Sequence, residues 1–282
     1  DLPLRGKRLL QAIFLLILLL VLPNGAGTLA AGEMRLALVI GNSSYAEAPL
    51  KNPENDAALM AKSLRQLGFK VWDYANLDQK EMKRAVRDFG RELELAGRES
   101  VGLIYYAGHG VQVNGTNYLI PVDAKIRHEL DVDIEAVSAS ALVQTLGFAG
   151  NRLNMVIFDA CRNNPYKRSF RAANEGLAKM DAPQGTLLAY STAPGQTAED
   201  GTGKYSPYTQ ALVRSMNQPG VPVEQVFKSV RIKVMERTSG VQVPWESSSL
   251  TGEFYFAGTR ASVPSAQASD VLSTAQTNTA GQ

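Results

Sequence analysis

The sequence contains a cysteine and a histidine whose side chains suit nucleophilic catalysis. Cys161 is the only cysteine among 282 residues, and His109 lies about 50 residues before it. A thiol attacks a carbonyl as its thiolate, so a nearby histidine is needed to take the proton and later give one to the leaving amine. The pair predicts covalent catalysis on a peptide bond. The alternative for Cys161 is a small buried apolar residue, which is what most free cysteines are.

Each of these residues follows a run of apolar residues. Residues 100–107 are almost continuously apolar before His109, and residues 153–158 are so before Cys161. Such runs are typical of parallel strands that are covered on both faces, and ligands bind beyond the carboxyl ends of those strands. If the two strands are neighbours, His109 and Cys161 meet at one edge of the sheet. Backbone N–H groups of Gly110 and Cys161 are then suited to bind the oxyanion.

Strand and helix patterns alternate through the rest of the chain. Further apolar runs at 35–40, 68–73 and 185–191 predict strands. Periodic apolar residues and helix-start signals predict helices, and Asn114-Gly115 predicts the turn of a hairpin over 111–120. This alternation predicts an α/β fold with a mostly parallel sheet between two layers of helices. The predicted helices cover residues 53–67, 77–96, 138–148, 206–216 and 223–238.

The composition divides the chain into three parts. Residues 1–31 begin with a short basic stretch followed by an apolar run, which predicts a signal peptide or, if uncleaved, an N-terminal membrane anchor. Residues 32–257 form the predicted globular domain, and 258–282 have the composition of a flexible tail or linker. We therefore expect an exported protein, periplasmic or extracellular. The net charge of +2 is carried by the first 30 residues, so the neutral body argues against nucleic acid as a partner.

Several motifs together resemble one enzyme family. The segments 105–110 (YYAGHG) and 159–162 (DACR) are similar to those of caspase-like cysteine peptidases, in particular metacaspases, paracaspases and bacterial orthocaspases. Further similar stretches are LVIGN at 38–42, LIPVD at 119–123 and PWESSSL at 244–250, so the resemblance covers about residues 34–257. It implies a three-layer sandwich with a six-stranded sheet, a His109–Cys161 dyad and endopeptidase activity without an organic cofactor.

The resemblance also implies a substrate preference. In the metacaspase and paracaspase branches, acidic residues at the positions of Asp159 and Asp56 select Arg or Lys before the cleaved bond. A third acidic residue, seen in paracaspases, matches Asp200 if the stretch from Tyr190 aligns without gaps. Each aspartate has a structural alternative. Asp56 falls in the first turn of a helix, where carboxylates are favourable, Asp159 ends a strand, and Asp200 precedes a glycine in a predicted turn.

Other acidic residues raise the question of a metal. Asp131, Asp133 and Glu135 alternate along the chain, and some metacaspases use calcium. Alternating acids are more often a solvated surface, so we expect no cofactor and keep calcium as the less favoured interpretation.

Two functions remain open on the sequence alone. The first is a cysteine endopeptidase that cuts after Arg or Lys in protein or peptide substrates. Such an enzyme is also expected to process itself between Arg162 and Lys179, a stretch rich in basic residues. The second is a catalytically weak caspase-like domain that serves as a binding or scaffold module.

Overall fold

The computed structural model describes residues 33–160, 176–198, 201 and 203–258. Cys161 and Asp200 lie outside these ranges, and so does most of the predicted self-processing segment. The predicted leader and nearly all of the predicted tail also lie outside them. The predicted site residues inside these ranges are His109, Gly110, Asp56 and Asp159.

A six-stranded sheet forms the centre of the domain, in the order β2-β1-β3-β7-β8-β9. Every neighbouring pair is parallel except β8 and β9, which are antiparallel. The predicted mostly parallel six-stranded sheet is confirmed. Its strands are β1 (Arg35–Gly41), β2 (Phe69–Ala75), β3 (Val101–Ala107), β7 (Leu153–Asp159), β8 (Thr186–Tyr190) and β9 (Trp245–Ser248).

Helices cover both faces of this sheet because alternate residues of each strand point to opposite sides. Leu103 and Tyr105 of β3 belong to one core, with α1, α5 and α6, whereas Ile104 and Tyr106 belong to the other, with α2 and α4. This is the predicted three-layer arrangement. The helices are α1 (Pro53–Gln66), α2 (Gln79–Ala96), α3 (Asp131–Glu135), α4 (Ala139–Phe148), α5 (Pro207–Met216) and α6 (Val223–Arg237).

A small antiparallel sheet follows His109. Strands β4 (Gly110–Val113) and β5 (Thr116–Leu119) form the predicted hairpin, and the short β6 (Val137–Ser138) pairs with β5. Asn114 and Gly115 have φ values of 49° and 78°, which fits a type I′ turn. The prediction of this hairpin is confirmed, whereas α3 and β6 were not predicted.

Strand β2 departs from the sequence prediction. It was expected to be covered on both faces like the central strands, but it lies at the edge of the sheet and most of its side chains are partly or fully exposed. An edge strand has a neighbour on one side only, so its side chains receive less cover.

Among the described residues, no helix is long and apolar enough to cross a membrane.

The junction of β1 and α1 predicts different effects for two glycine substitutions. A Cβ atom on Gly41 would lie 2.5 Å from the Pro53 carbonyl oxygen, whereas one on Gly147, in α4, meets nothing within 4 Å. We expect Gly41→Ala to lower the free energy of unfolding by about 1–3 kcal/mol through overpacking. Gly147→Ala should raise it by up to about 1 kcal/mol through helix propensity. Urea denaturation measures both, and equal effects would contradict the close packing of β1 on α1.

Candidate active site

The pairing of β3 with β7 fixes the place of the site. The two strands are parallel neighbours, with Ala107 opposite Asp159, so the predicted adjacency is confirmed. His109 lies two residues beyond one of these positions, and Cys161 lies two residues beyond the other in the sequence. The Gly108 N–H also donates to the Asp159 carbonyl at 3.4 Å, which continues the pairing past the strand ends.

Two tyrosine hydroxyls hold the main chain of His109. Its N–H donates to the Tyr45 hydroxyl at 3.0 Å, and its carbonyl accepts from the Tyr106 hydroxyl at 2.9 Å. The same carbonyl accepts the N–H of Ile120 at 3.0 Å. The ring centroids of Tyr45 and His109 lie 4.5 Å apart, and His109 is only 3% exposed. The histidine is therefore fixed from both its backbone and its ring.

A backbone carbonyl determines the protonation of the His109 ring. Nε2 lies 2.7 Å from the carbonyl oxygen of Ala48. Since a carbonyl only accepts hydrogen bonds, Nε2 must carry the hydrogen, and in the neutral ring Nδ1 then has the lone pair. Nδ1 is thus the atom suited to take a proton from a nucleophile. Ala48 was missed in the sequence because a backbone carbonyl has no residue-type signature, and Tyr45 because no motif connects it to a histidine 64 residues later.

Both glycines beside His109 are required by close packing. A Cβ atom on Gly108 would lie 2.6 Å from the Tyr45 hydroxyl and 2.7 Å from the Tyr106 hydroxyl. One on Gly110 would lie 2.7 Å from the carbonyl oxygen of Ala160, the residue before Cys161. The lack of a side chain at these two positions therefore lets the chain around His109 approach Tyr45 and Ala160 closely. The oxyanion roles of Gly110 and Cys161 stay predictions, since Cys161 lies outside the described residues.

Asp56 and Asp159 are brought together by a third residue, Ser206. Both aspartates are fully buried. The Ser206 N–H donates to Asp56 Oδ1 at 2.9 Å, and the Ser206 Oγ donates to Asp159 Oδ2 at 2.7 Å. Asp56 does lie in the first turn of α1, but its carboxylate contacts the start of α5. Asp159 does end its strand, but in a completely buried position with specific donors.

Several hydroxyl groups donate to the Asp159 carboxylate. Besides Ser206, its Oδ2 accepts from Thr209 Oγ1 at 3.0 Å and lies 3.5 Å from the Tyr105 hydroxyl. Ser206 also caps α5 by accepting the Thr209 N–H at 3.0 Å. Hydroxyl donors fix the orientation of a carboxylate without cancelling its charge. The sequence predicts the helix start at Ser206 but not this second role of the serine.

A cavity borders the imidazole on the side of β1. It has a volume of about 320 Å³ and is lined by residues 45–48, His109 and residues 122–127. The loop after β1 therefore lines this cavity and also provides the Ala48 carbonyl that contacts the ring. The space is sufficient for a small side chain next to the imidazole of His109.

The alternating acids bind separate partners. Asp131 accepts the N–H groups of Arg127 and His128, both at 2.8 Å, and these hydrogen bonds hold the pKa of Asp131 below its usual value. Asp133 accepts from the Tyr118 hydroxyl, and Glu135 from the Lys125 N–H. Within the ranges that the structure covers, no group of three or more His, Cys, Asp or Glu side chains is arranged to hold a metal ion.

Comparison with known proteins agrees with this geometry. Residues 34–255 match the family described as Caspase domain. The chain belongs to this family of caspase-like cysteine peptidases. A Homo sapiens protein, mucosa-associated lymphoid tissue lymphoma translocation protein 1, is 35% identical over 169 residues, which are 58% of this chain and 19% of that protein. Its Mus musculus homolog is 36% identical over 169 residues, with the same coverage. The caspase-like chain thus aligns with less than a fifth of the length of these curated relatives.

The Ala48 contact predicts one tautomer of His109 in this caspase-like domain. We expect neutral His109 to carry its hydrogen on Nε2 and to have an unprotonated Nδ1. The measurement is ¹⁵N NMR of the 282-residue chain with Cys161→Ala, about two pH units above the usual imidazole pKa of about 6.5. The exposed His128 provides an internal comparison, because no backbone carbonyl contact fixes its ring in the described structure. Protonation of His109 at Nδ1 instead would contradict the assignment.

Proposed function

We propose that this caspase-like domain is a cysteine endopeptidase that cleaves peptide bonds after Arg or, less efficiently, Lys. One observation carries the proposal. Two fully buried carboxylates, Asp56 and Asp159, contact the same serine at the sheet edge from which His109 extends. A basic side chain that reaches this position meets both acids while its backbone lies near the imidazole.

The proposed reaction uses the protonation of His109 derived above. Nδ1 takes the proton of the Cys161 thiol, and the thiolate attacks the carbonyl carbon of the substrate. The Gly110 and Cys161 N–H groups stabilise the resulting oxyanion. Protonated His109 then gives its proton to the leaving amine, which releases the C-terminal fragment. Water, deprotonated by His109, hydrolyses the remaining thioester and regenerates the thiol.

The specificity follows from charge and shape. Two close carboxylates repel each other, and a bound cation relieves this repulsion. The guanidinium of arginine is a planar fork that bonds two acids at once, whereas the lysine ammonium is a compact charge. An acidic side chain would add a third negative charge and is expected to be rejected. We include Asp200 as a third acid of this pocket on the family resemblance alone.

The proposal extends to the location and processing of the protein. The basic and apolar character of residues 1–31 supports export, with membrane attachment only if that segment is not cleaved. We propose that the reaction needs no cofactor, with calcium as the less favoured alternative. Lys179, at the end of the proposed self-processing segment, is exposed and so accessible to a second enzyme molecule.

The dyad is tested by removing each of its members. We expect Cys161→Ala and His109→Ala each to abolish hydrolysis of an arginine peptide, and the double variant to lose little more, because the two residues act as a unit. The wild type should cut itself between Arg162 and Lys179, and Cys161→Ala should stay intact. A folded wild type whose thiol reacts with an arginine-directed label no faster than free cysteine would favour the scaffold function instead.

The pocket is tested by scanning the residue before the cleaved bond. We expect kcat/KM to be higher with Arg than with Lys at this position, and higher with either of them than with a neutral residue. Asp159→Asn should lower kcat/KM on arginine substrates roughly 10- to 100-fold, since hydrogen bonds to charged groups contribute about 1.5–3 kcal/mol each. The exposed Asp88→Asn is the matched control and should have no effect.

Two further measurements separate the pocket from the dyad. Asp159→Asn should keep the thiol reactivity of the wild type toward a small neutral alkylating agent, because the proposed dyad is unchanged. Ser206→Ala, which removes a donor to Asp159 but no charge, should reduce kcat/KM less than Asp159→Asn does. A wild type that prefers aspartate, or an Asp159→Asn variant with normal activity on arginine, would refute the pocket assignment.

A further inference from the structure

A groove runs between α2 and α4 on the face of the sheet opposite α1 and α5. It has a volume of about 300 Å³ and extends from Lys83 and Val137 at one end to Glu94 and Ala149 at the other. The two helices touch beneath it, since a Cβ atom on Gly90 would lie 2.5 Å from Thr145 Cγ2. The groove is separate from the site described above, which lies beyond the carboxyl ends of β3 and β7.

The α4 side of the groove is exposed but carries no charge. No Asp, Glu, Lys or Arg occurs in residues 137–151, although Ala141, Gln144 and Gly147 are exposed. Phe148, which lines the groove, is 86% exposed. Protein interfaces are depleted of charge at their centre and enriched in aromatic residues, whereas a solvated helix face is usually charged. The α4 surface therefore has the composition of a binding surface.

The α2 side provides a row of positive charges. Lys83, Arg87 and Arg91 line the groove at intervals of four residues, so they lie on one face of the helix. Glu94 is the acidic residue of the lining. Arg87 pairs with the adjacent Asp88, whereas Lys83 and Arg91 contact no carboxylate in the part of the chain that the structure describes. The groove thus combines an apolar floor with a cationic rim.

We propose that this α2–α4 groove binds an acidic amphipathic helix of a partner protein. The apolar side chains of such a helix would cover Phe148 and the floor, and its carboxylates would pair with Lys83, Arg87 and Arg91. The ten residues of α4 span about 15 Å, which matches three turns of a bound helix. This is the helix-in-groove mode of recognition, with charge complementarity setting the choice of partner.

The terminal segments of the chain itself do not fit this groove. Residues 1–32 are cationic, and residues 259–282 contain a single acidic residue, Asp270. A flat anionic membrane is also a poor match, because a concave floor between two helices is not reached by a planar surface. An acidic partner helix satisfies both the shape and the charge.

The test uses a designed 16-residue peptide as the probe. It has leucine at helical spacing on one face, glutamate elsewhere, a fluorescein label and no basic residue, so it is not a substrate of the proposed peptidase. The protein is the 282-residue chain with Cys161→Ala, and binding is followed by fluorescence anisotropy. We expect saturable binding that weakens as salt is raised, and no binding of the peptide in which every glutamate is lysine.

Matched variants locate the binding surface. Phe148→Ser and the double variant Lys83→Glu/Arg91→Glu should each weaken binding at least about tenfold, as expected for central aromatic and charged contacts. The double variant Lys80→Glu/Arg84→Glu makes the same charge change on the same helix outside the groove lining, and should weaken binding less than about twofold. Val241→Ser, at an apolar residue that is 62% exposed elsewhere, should have no effect.

The outcomes separate the possibilities. Equal losses in the groove and control variants would mean general charge attraction and would overturn the proposal. The same follows if the peptide does not bind at about 1 mM, or if the protein binds phosphatidylserine vesicles through Phe148 but not the peptide. None of these outcomes tests the proposed peptidase activity. That activity is measured separately, with an arginine peptide and the protein that retains Cys161.

Discussion

The parallel pairing of β3 with β7 is the constraint on which the site depends. Its register places Ala107 opposite Asp159, so that the residues following each strand emerge side by side. A shift by one residue would turn every side chain of one strand to the opposite face of the sheet. Tyr105 would then leave Asp159 and Thr209. Both strands are continuously apolar because helices cover them on each face. The register that this burial fixes also aligns the polar groups at the strand ends.

Close contacts of the main chain fix the site more than side-chain charges do. The His109 N–H and ring Nε2 are bonded by Tyr45 and Ala48 from a distant part of the chain, and the His109 carbonyl is bonded by Tyr106, three residues before it. Gly108 and Gly110 make this possible, because a side chain at either position would collide with the hydroxyls or with Ala160. A histidine held in this way is already fixed in one orientation, which is what the proposed proton transfer would require.

The sequence was sufficient for the parts of the fold that follow from pattern. Apolar runs predicted the central strands, and Asn114-Gly115 predicted the hairpin, because each has a strong local cause. The edge position of β2 was not predicted, because the position of a strand in the sheet depends on its pairing with distant strands and not on its own composition. Ala48 was missed because it acts through its carbonyl. The contact of Ser206 with the two aspartates was missed, because capping of α5 is already a sufficient explanation for a serine at this position.

The start of α5 explains how two buried carboxylates are tolerated together. A buried charge is costly unless it receives hydrogen bonds, and here the N-cap residue Ser206 donates its N–H to Asp56 and its hydroxyl to Asp159. The helix end adds the equivalent of about half a positive charge. The fold therefore supports both buried acids at the start of one helix, through hydrogen bonds that come from the same serine.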